Sequence, residues 1–254
     1  MPSVALATLA RHCDSLLRPG AFTDWDGACN GLQVENRGTI TRLAAAVDAS
    51  LATVELAVAA GADLLLAHHG LFWSPTHPWT GHRYRLLRLL LDHDVAVYSS
   101  HLPLDAHPRL GNNARLCAAL RLPSRTPFFQ CKGRPIGFQS RVRLPRTTLA
   151  QRLEQVLGKP AILLPGGPGV CRRVGVVTGG AGAELAQAVA EGVDTFITGE
   201  GPHWTFAQAE ALGVNVFYGG HYATETFGVK ALADHLSRRF NLPGASWITP
   251  PACD

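Results

Sequence analysis

The feature that most constrains the fold of this chain is an internal repeat. The stretch AVAAGADLLLAHHGLFW, residues 57–73, aligns without a gap over AVAEGVDTFITGEGPHW, residues 188–204. Each stretch reads as the end of a helix, a glycine stop and then an apolar strand. The matched residues include Gly61 and Gly192, Asp63 and Asp194, and Trp73 and Trp204. We interpret the repeat as the duplication of one α/β unit.

A second match extends the repeat toward the carboxyl end of each half. VAVYSSHLPLD, residues 95–105, aligns over NVFYGGHYATE, residues 215–225. Strand-like and helix-like segments alternate around both matches, as in βαβ units. The sequence therefore predicts an α/β fold of duplicated βαβ units with mainly parallel sheets. We expect two pseudo-symmetric halves around a shared metal-site crevice, for reasons given below.

The repeat also predicts how the chain is divided. Residues 1–121, which begin with an amphipathic helix, are expected to form the first α/β half. Residues 173–254 are expected to form the second half. The segment between them, residues 122–172, is rich in Pro, Arg and Gly and is expected to connect the halves with one strand and one helix. We expect the whole chain to form one compact unit.

Composition narrows the class of protein. Hydrophobic residues make up 46% and charged residues 17% of the 254 residues, a balance typical of an ordered globular core. No apolar run approaches the roughly 20 residues needed to cross a membrane. The six cysteines form no C-x-x-C pair, which favours reduced thiols in the cytoplasm. The net charge of +4 is compatible with phosphate-bearing substrates.

Potential metal ligands cluster where the predicted strands end. In parallel α/β folds this edge of the sheet is where ligands bind. Imidazole and carboxylate side chains suit Zn, Mn, Fe or Ni. The candidate metal ligands are His68, His69, Asp105, His221 and Glu225. A lone histidine is more often structural than metal-binding, but five candidates at corresponding strand ends favour a metal site.

The number of candidates indicates more than one metal ion. Five side chains crowd a single ion, whereas two ions about 3.5–4 Å apart would keep open positions for water and substrate. Open positions are typical of catalytic rather than structural metal sites. Since a strand loses its pleat where it ends, His68 and His69 can diverge to two metals, or one can support the other. The sequence predicts two divalent metal ions per chain.

Three further residues near the strand ends are candidates for supporting roles. Glu200 is a candidate catalytic residue for proton transfer. Alternatively, Glu200 only supports a neighbouring ligand as a hydrogen-bond acceptor. His101 is expected to support the neighbouring ligands, and His107 to steady Asp105. The glycine-rich VVTGGAG lacks the Walker lysine and is expected to form a tight turn. Arginines in HRYRLLR and RVRLPR are expected to form a solvated basic face.

Five stretches together resemble a known family: DWDGACNGLQVEN, LLLAHHGLFW, YSSHLPLDAHPRLGNN, TGEGPHW and GGHYATETFGVKAL. They are similar to the Nif-three-like dinuclear metal centre proteins, also called GTP cyclohydrolase I type 2 homologues, in the short bacterial form without a central insertion. The resemblance implies a duplicated α/β fold and a toroidal homohexamer. It also implies metal ligands at the five positions named above, and it places GLQVEN, Gly31–Asn36, near the site or packed under it.

Two classes of function follow. The first is a dinuclear-metal-dependent hydrolase acting on a small nucleotide-like substrate, as a GTP cyclohydrolase-like enzyme or a phosphoesterase. The alternative is a hexameric metal-binding scaffold, or a ring that binds nucleic acid or a protein without catalysis. An open two-metal site favours the enzyme, because it has little purpose in a scaffold. Mild basicity and the lack of a nucleotide-specific motif favour the alternative. No membrane partner is expected.

Overall fold

The computed structural model describes residues 2–72 and 77–249, so Trp73 of the repeat and Cys253 lie outside the described residues. The strands are β1 Val4–Ala5, β2 Gly31–Val34, β3 Thr39–Ile40, β4 Leu43–Asp48, β5 Leu64–His69, β6 Ala96–Ser99, β7 Thr126–Cys131, β8 Arg134–Pro145, β9 Ile162–Pro165, β10 Val170–Val176, β11 Thr195–Thr198, β12 Asn215–Tyr218 and β13 Ser246–Trp247. The helices are α1 Leu6–Leu17, α2 Leu51–Ala59, α3 Gly81–Asp92, α4 Leu102–Asp105, α5 Asn112–Ala119, α6 Arg146–Leu157, α7 Leu185–Ala190, α8 Thr205–Leu212 and α9 His221–Phe240.

The described residues form two compact units. The first contains the residues up to Leu104 and those from Gly228 onward, and the second is Asp105–Phe227. This division differs from the one expected from the repeat, in which a connecting segment separated two halves. The segment 122–172 contains β7, β8, α6 and β9, and its three strands belong to the sheet of the second unit. Their pairing with β10 and β12 brings the segment into that unit.

The first unit is built on a five-stranded sheet in the order β13-β4-β5-β6-β2. Its strands are parallel except β2, which pairs antiparallel with β6. The apolar strand predicted within residues 57–73 is β5, and the apolar residues 43–47 of β4 and 64–67 of β5 are buried. Continuous apolar runs are typical of parallel strands that are buried on both faces. The carboxyl ends of β5 and β6 carry His68, His69 and His101.

The second unit is built on a six-stranded mixed sheet in the order β7-β8-β10-β11-β12-β9. Its central strands β10, β11 and β12 are parallel, and the other three are antiparallel to their neighbours. The second unit therefore has fewer parallel strand pairings than the mainly parallel sheet predicted from the sequence. The central strands end beside Gly179, Glu200 and His221, so the second group of candidate residues also lies at the carboxyl edge.

The internal repeat extends to equivalent hydrogen bonds in the two units. The Asp63 carboxylate accepts the main-chain N–H groups of Thr41 and Arg42, just before β4, at 2.7 and 3.0 Å. In the second unit, the aligned Asp194 carboxylate accepts the main-chain N–H groups of Arg172 and Arg173, in β10. The aligned aspartates therefore hold the preceding parallel strand in the same way. The α/β class is as predicted.

Three cysteine thiols lie in the cores of the units. Cys13, Cys117 and Cys171 are buried. Burial raises the pKa of Cys117 to about 12 and also raises that of Cys13, so both thiols stay protonated and unreactive at neutral pH. Across the described ranges, no helix has the length and apolar character needed to cross a bilayer.

Candidate metal centre

Three histidine rings converge at the strand ends of the first unit. His68 and His69 end β5, and His101 follows β6. The ring centroids of His68 and His69 lie 4.8 Å apart, and that of His101 lies 4.9 and 5.5 Å from them. One potential ligand nitrogen from each ring lies within 4.8 Å of the other two. The adjacent histidines therefore converge at the strand end, and His101, expected only to support the ligands, belongs to the same group.

Each ring is oriented by an oxygen that accepts a hydrogen bond from its Nδ1. His68 donates to the main-chain oxygen of Ser100 at 2.9 Å, and His69 donates to the Asp48 carboxylate at 2.8 Å. A neutral imidazole with its proton on Nδ1 carries its lone pair on Nε2. Metal-binding histidines almost always have such an acceptor on the nitrogen that does not bind the metal. The geometry fits Nε2 ligation of a divalent ion.

The Asp24 carboxylate orients the third ring. His101 donates from Nδ1 to Asp24 Oδ1 at 2.7 Å, and the Asn30 side-chain amide donates to Oδ2 at 2.8 Å. Burial opposes ionisation of Asp24, but the hydrogen bond and charge of His101, with the Asn30 amide, outweigh it and lower the pKa of Asp24. The carboxylate is therefore ionised at neutral pH, where it fixes the orientation of the His101 ring.

The GLQVEN stretch packs under the turn that follows the paired histidines. Gln33 accepts the main-chain N–H of Leu71 at 2.7 Å and donates to the main-chain oxygen of Cys29 at 2.6 Å. A Cβ at Gly70 would clash with the Gln33 amide, so a larger residue there would displace the Gln33 side chain. GLQVEN thus packs against the turn after His69, where the resemblance placed it.

In the second unit, His221 begins α9 and lies one helical turn before Glu225. The i, i+4 spacing places both side chains on one face, with His221 Nε2 3.2 Å from Glu225 Oε2. His221 Nδ1 donates to Glu200 Oε1 at 2.8 Å. Glu200 therefore orients His221 as Asp48 orients His69. Its proposed catalytic role stays a prediction.

Two carboxylates raise the pKa of His221 to about 9. The largest cause is the hydrogen bond to Glu225; burial acts in the opposite direction, and the charges of Glu225 and Glu200 add to the upward shift. At neutral pH the metal-free protein therefore holds His221 as imidazolium, between two carboxylates. A divalent cation must displace one proton to bind His221.

Asp105 is held by residues that follow it in the chain. It is buried, and its Oδ1 accepts the Asn112 side-chain amide at 2.8 Å. His107 Nδ1 accepts the main-chain N–H groups of Leu110 and Arg109 at 3.0 and 3.3 Å, which orders the loop between them. The expectation that His107 steadies Asp105 stays a prediction.

In the VVTGGAG segment, Gly179 and Gly180 pack closely against the side chains of His221 and Glu225. Gly179 has a φ of +74°, and a Cβ there would clash with the Glu225 carboxylate and lie 3.4 Å from His221 Nε2. A Cβ at Gly180 would lie 3.5 Å from His221 Cε1. The segment is the predicted tight turn, and it also explains why the chain uses glycine beside two candidate ligands.

Replacing Gly179 with alanine is expected to destabilise the protein by about 2–4 kcal/mol, because a left-handed φ and a steric clash both oppose a side chain. Glu225 is buried and has little room to move aside. Gly213→Ala is the matched control, with a φ of +66° and no atom within 4 Å of the added Cβ. It should cost only about 1 kcal/mol. Equal urea midpoints for the two variants would contradict the close packing of Gly179 against Glu225.

The structure adds residues that sequence reasoning did not assign. Asp24, Asp48 and Ser100 orient histidines, and Gly179 and Gly180 contact the second group. Asp48 was detectable, because it ends β4 directly opposite His69 in the parallel register. Asp24 lies far from His101 in sequence, and only the fold brings the two together.

These features define an α/β protein with histidine and carboxylate groups suited to metal binding. The chain matches the model of the Duf34/NIF3 (NGG1p interacting factor 3) family over residues 4–248. It is 41% identical over 239 residues to a protein of Deinococcus radiodurans named GTP cyclohydrolase 1 type 2 homolog, covering 92% of this chain and 89% of the relative. It is 37% identical to a Pseudomonas aeruginosa protein of the same name, covering 94% of each. The chain therefore belongs to the Duf34/NIF3 family.

Solved structures agree with this placement. The TTHA1606 protein of Thermus thermophilus is 38% identical, with a TM-score of 0.88 over 97% of this chain and 98% of that chain. The protein ybgI, described as of unknown function, is 34% identical, with a TM-score of 0.90 over 99% of this chain and 100% of that chain. The fold is shared over nearly the full length of each chain.

Proposed function

We propose that this protein is a hydrolase that depends on two divalent metal ions and acts on a nucleotide-like substrate. The ligands in this proposal are His68, His69, Asp105, His221 and Glu225. One observation carries it: the Nδ1 of His68, His69, His101 and His221 is in each case hydrogen-bonded to an oxygen. Such acceptors fix the tautomer and the ring orientation that metal ligation needs.

The donor set indicates the kind of metal. Imidazole and carboxylate groups without thiolate favour Zn, Mn, Fe or Ni over metals that prefer sulfur. Divalent ions held there would lower the pKa of a water molecule and polarise an electrophilic carbon or phosphorus centre. The relatives named GTP cyclohydrolase 1 type 2 homolog support a nucleotide-like substrate, for which this chain's own activity is the proposal.

The side chains around the candidate ligands have roles that follow from their contacts. Asp24 and Asp48 hold their histidine partners in one orientation, which limits reorganisation when a cation binds. The Glu200 side chain is mostly exposed and is hydrogen-bonded to His221. We propose that Glu200 accepts and releases protons from solvent while it holds His221 Nδ1–H. The homohexameric ring implied by the resemblance also stays a proposal.

The test measures metal content per chain and turnover together. Wild-type protein is expected to carry about two metal ions and to turn over GTP or a simple phosphodiester. Glu225→Gln keeps the shape of a buried side chain but removes its charge, so it should retain the fold, carry less metal and lose turnover. Glu210→Gln, an exposed glutamate on α8, is the control and should match the wild type.

The outcomes separate the two classes of function. Metal without turnover on either substrate would favour a binding role over hydrolysis of these compounds. If wild-type protein holds no metal after supplementation with Zn, Mn, Fe or Ni, the metal centre itself is wrong.

A further inference from the structure

Four arginines line a groove of the second unit that the proposed metal chemistry does not use. Arg141 and Arg143 lie on β8, and Arg172 and Arg173 lie on the adjacent strand β10. The groove has a volume of about 480 Å³, and its remaining lining residue is Val142. We infer that this groove, called the arginine groove below, binds a small ligand that carries two or more phosphate groups.

The arginine groove lies at the middle of β10. Arg173 precedes the end of β10 at Val176 by about 10 Å of strand, and the turn to Gly179 follows. The candidate residues Glu200 and His221 lie at the carboxyl edge of the same sheet. The groove is therefore a separate site, and the inference does not depend on the proposed function.

The strand pairing places like charges against each other. Arg173 lies directly opposite Arg141 in the antiparallel register. Like charges at opposed positions destabilise a sheet. A solvated face would relieve this repulsion by mixing in acidic residues, as surfaces commonly do. A bound polyanion relieves it instead, which gives a reason for the cluster.

A β-bulge between β8 and β10 increases the local density of positive charge. The register between β8 and β10 shifts between Cys171 and Arg173, so Arg172 alone faces Val142 and Arg143. Bulges bend a strand and redirect its side chains. Arg141, Arg143 and Arg172 are all exposed, and all three line the same groove.

Arg173 is the fixed member of the group. Its Nη2 donates to Gln139 Oε1 at 3.1 Å and to the main-chain oxygen of Glu191 at 3.3 Å. At Gly192, φ is +88° and an added Cβ would lie 2.6 Å from Arg173 Nη1, so the guanidinium packs directly over this glycine. Its Nε is buried and has no hydrogen-bond partner among the described residues. A fixed guanidinium loses less freedom when it binds an anion.

The nearby carboxylates are engaged with main-chain groups. Asp194 accepts the N–H groups of Arg172 and Arg173, and Glu191 accepts those of Phe129 and Gln130. Asp194, just before β11, thus lies beside β10 and offsets part of the positive charge. Within residues 2–72 and 77–249, no ion pair joins any of the four arginine side chains to a carboxylate.

The chemistry of the groove selects the ligand class. Guanidinium groups bind phosphate oxygens through paired hydrogen bonds, which lysine cannot reproduce. Several guanidiniums from two strands suit more than one phosphate. The volume lies within the roughly 300–1,000 Å³ typical of small-molecule sites. These features favour an oligophosphate or a nucleotide over a single phosphate ion.

The test is calorimetric titration of the full-length protein with inorganic tripolyphosphate, GTP and a 12-residue oligothymidylate. Arg141→Gln/Arg143→Gln removes two exposed guanidiniums and should weaken tripolyphosphate and GTP binding at least tenfold, with metal content unchanged. Arg11→Gln/Arg85→Gln removes the same charge from exposed arginines of the first unit and should change binding less than twofold.

The remaining outcomes overturn the inference in distinct ways. Binding of oligothymidylate alone, lost in the groove variant, would replace the small ligand with a nucleic-acid strand. Equal weakening in both double variants would show a general charge effect. Binding lost in Glu225→Gln but kept in the groove variant would assign the phosphates to the metal centre. Absence of saturable binding by any probe would remove the site.

Discussion

Replacing Asp24 with alanine is expected to lower the midpoint of thermal unfolding by roughly 10 °C. Its carboxylate is the acceptor for His101 Nδ1, the Asn30 amide and the main-chain N–H of Leu102. Removing a buried charged acceptor leaves such donors unsatisfied and costs about 3–5 kcal/mol. For a chain of this size each 1 kcal/mol corresponds to about 2–4 °C. Differential scanning fluorimetry measures the shift.

Asp26→Ala is the control for this change, because Asp26 is exposed and lies two residues away. Exposed substitutions of this kind usually change stability by less than about 0.5 kcal/mol. A shift for Asp24→Ala as small as that of the control would mean that the contacts of Asp24 contribute little. The Asp24 variant is also expected to hold less metal, because the released His101 ring packs against the proposed ligands His68 and His69.

Metal affinity is expected to fall at least 100-fold between pH 8 and pH 6. The pKa of His221 in the metal-free protein is about 9, so over this range a proton competes with the cation. Below the pKa of a ligand, each pH unit costs about tenfold in affinity. Competition with a chromophoric chelator for Zn²⁺ measures the change. An affinity that stays constant between these pH values would refute the expectation.

Glu200→Gln tests the cause of this pH dependence. Glu200 is one of the two carboxylates that raise the pKa of His221. The variant should therefore lose less metal affinity than the wild type between pH 8 and pH 6. The stability of the metal-free protein should change with pH in the opposite direction, because it decreases as the pH rises whereas metal affinity increases. Because folding raises the pKa of His221 above 6.5, its value in an unfolded chain, the contribution of His221 to stability is complete below pH 6.5 and is lost as the pH rises through about 9.

The sequence was most informative where a pattern has one structural solution. A continuous apolar run located β5, and a glycine stop located the end of α2. The i, i+4 spacing of His221 and Glu225 predicted a shared helical face, which α9 provides because it begins at His221.

The sequence was least informative where the fold joins distant segments. The pairing of β8 with β10 cannot be inferred from RVRLPR alone, so its arginines were interpreted as a solvated face rather than as the wall of a groove. In the same way, the hydrogen bond between Asp24 and His101 joins residues that are 77 positions apart in the sequence. Turn glycines can be recognised locally, but the contact of Gly179 with Glu225 depends on the end of β10 meeting the start of α9.

The aspartate pair Asp63 and Asp194 indicates how the duplicated halves have diverged. Each copy retains the carboxylate that holds the preceding strand, although the residues aligned at the strand ends now differ, as with His69 and Glu200. This main-chain anchor is thus common to both halves, while the residues at the strand ends differ. The halves are therefore not interchangeable: a tandem of two copies of the first half would carry two His68–His69 pairs and no equivalent of Glu200, whereas two copies of the second half would carry no such histidine pair.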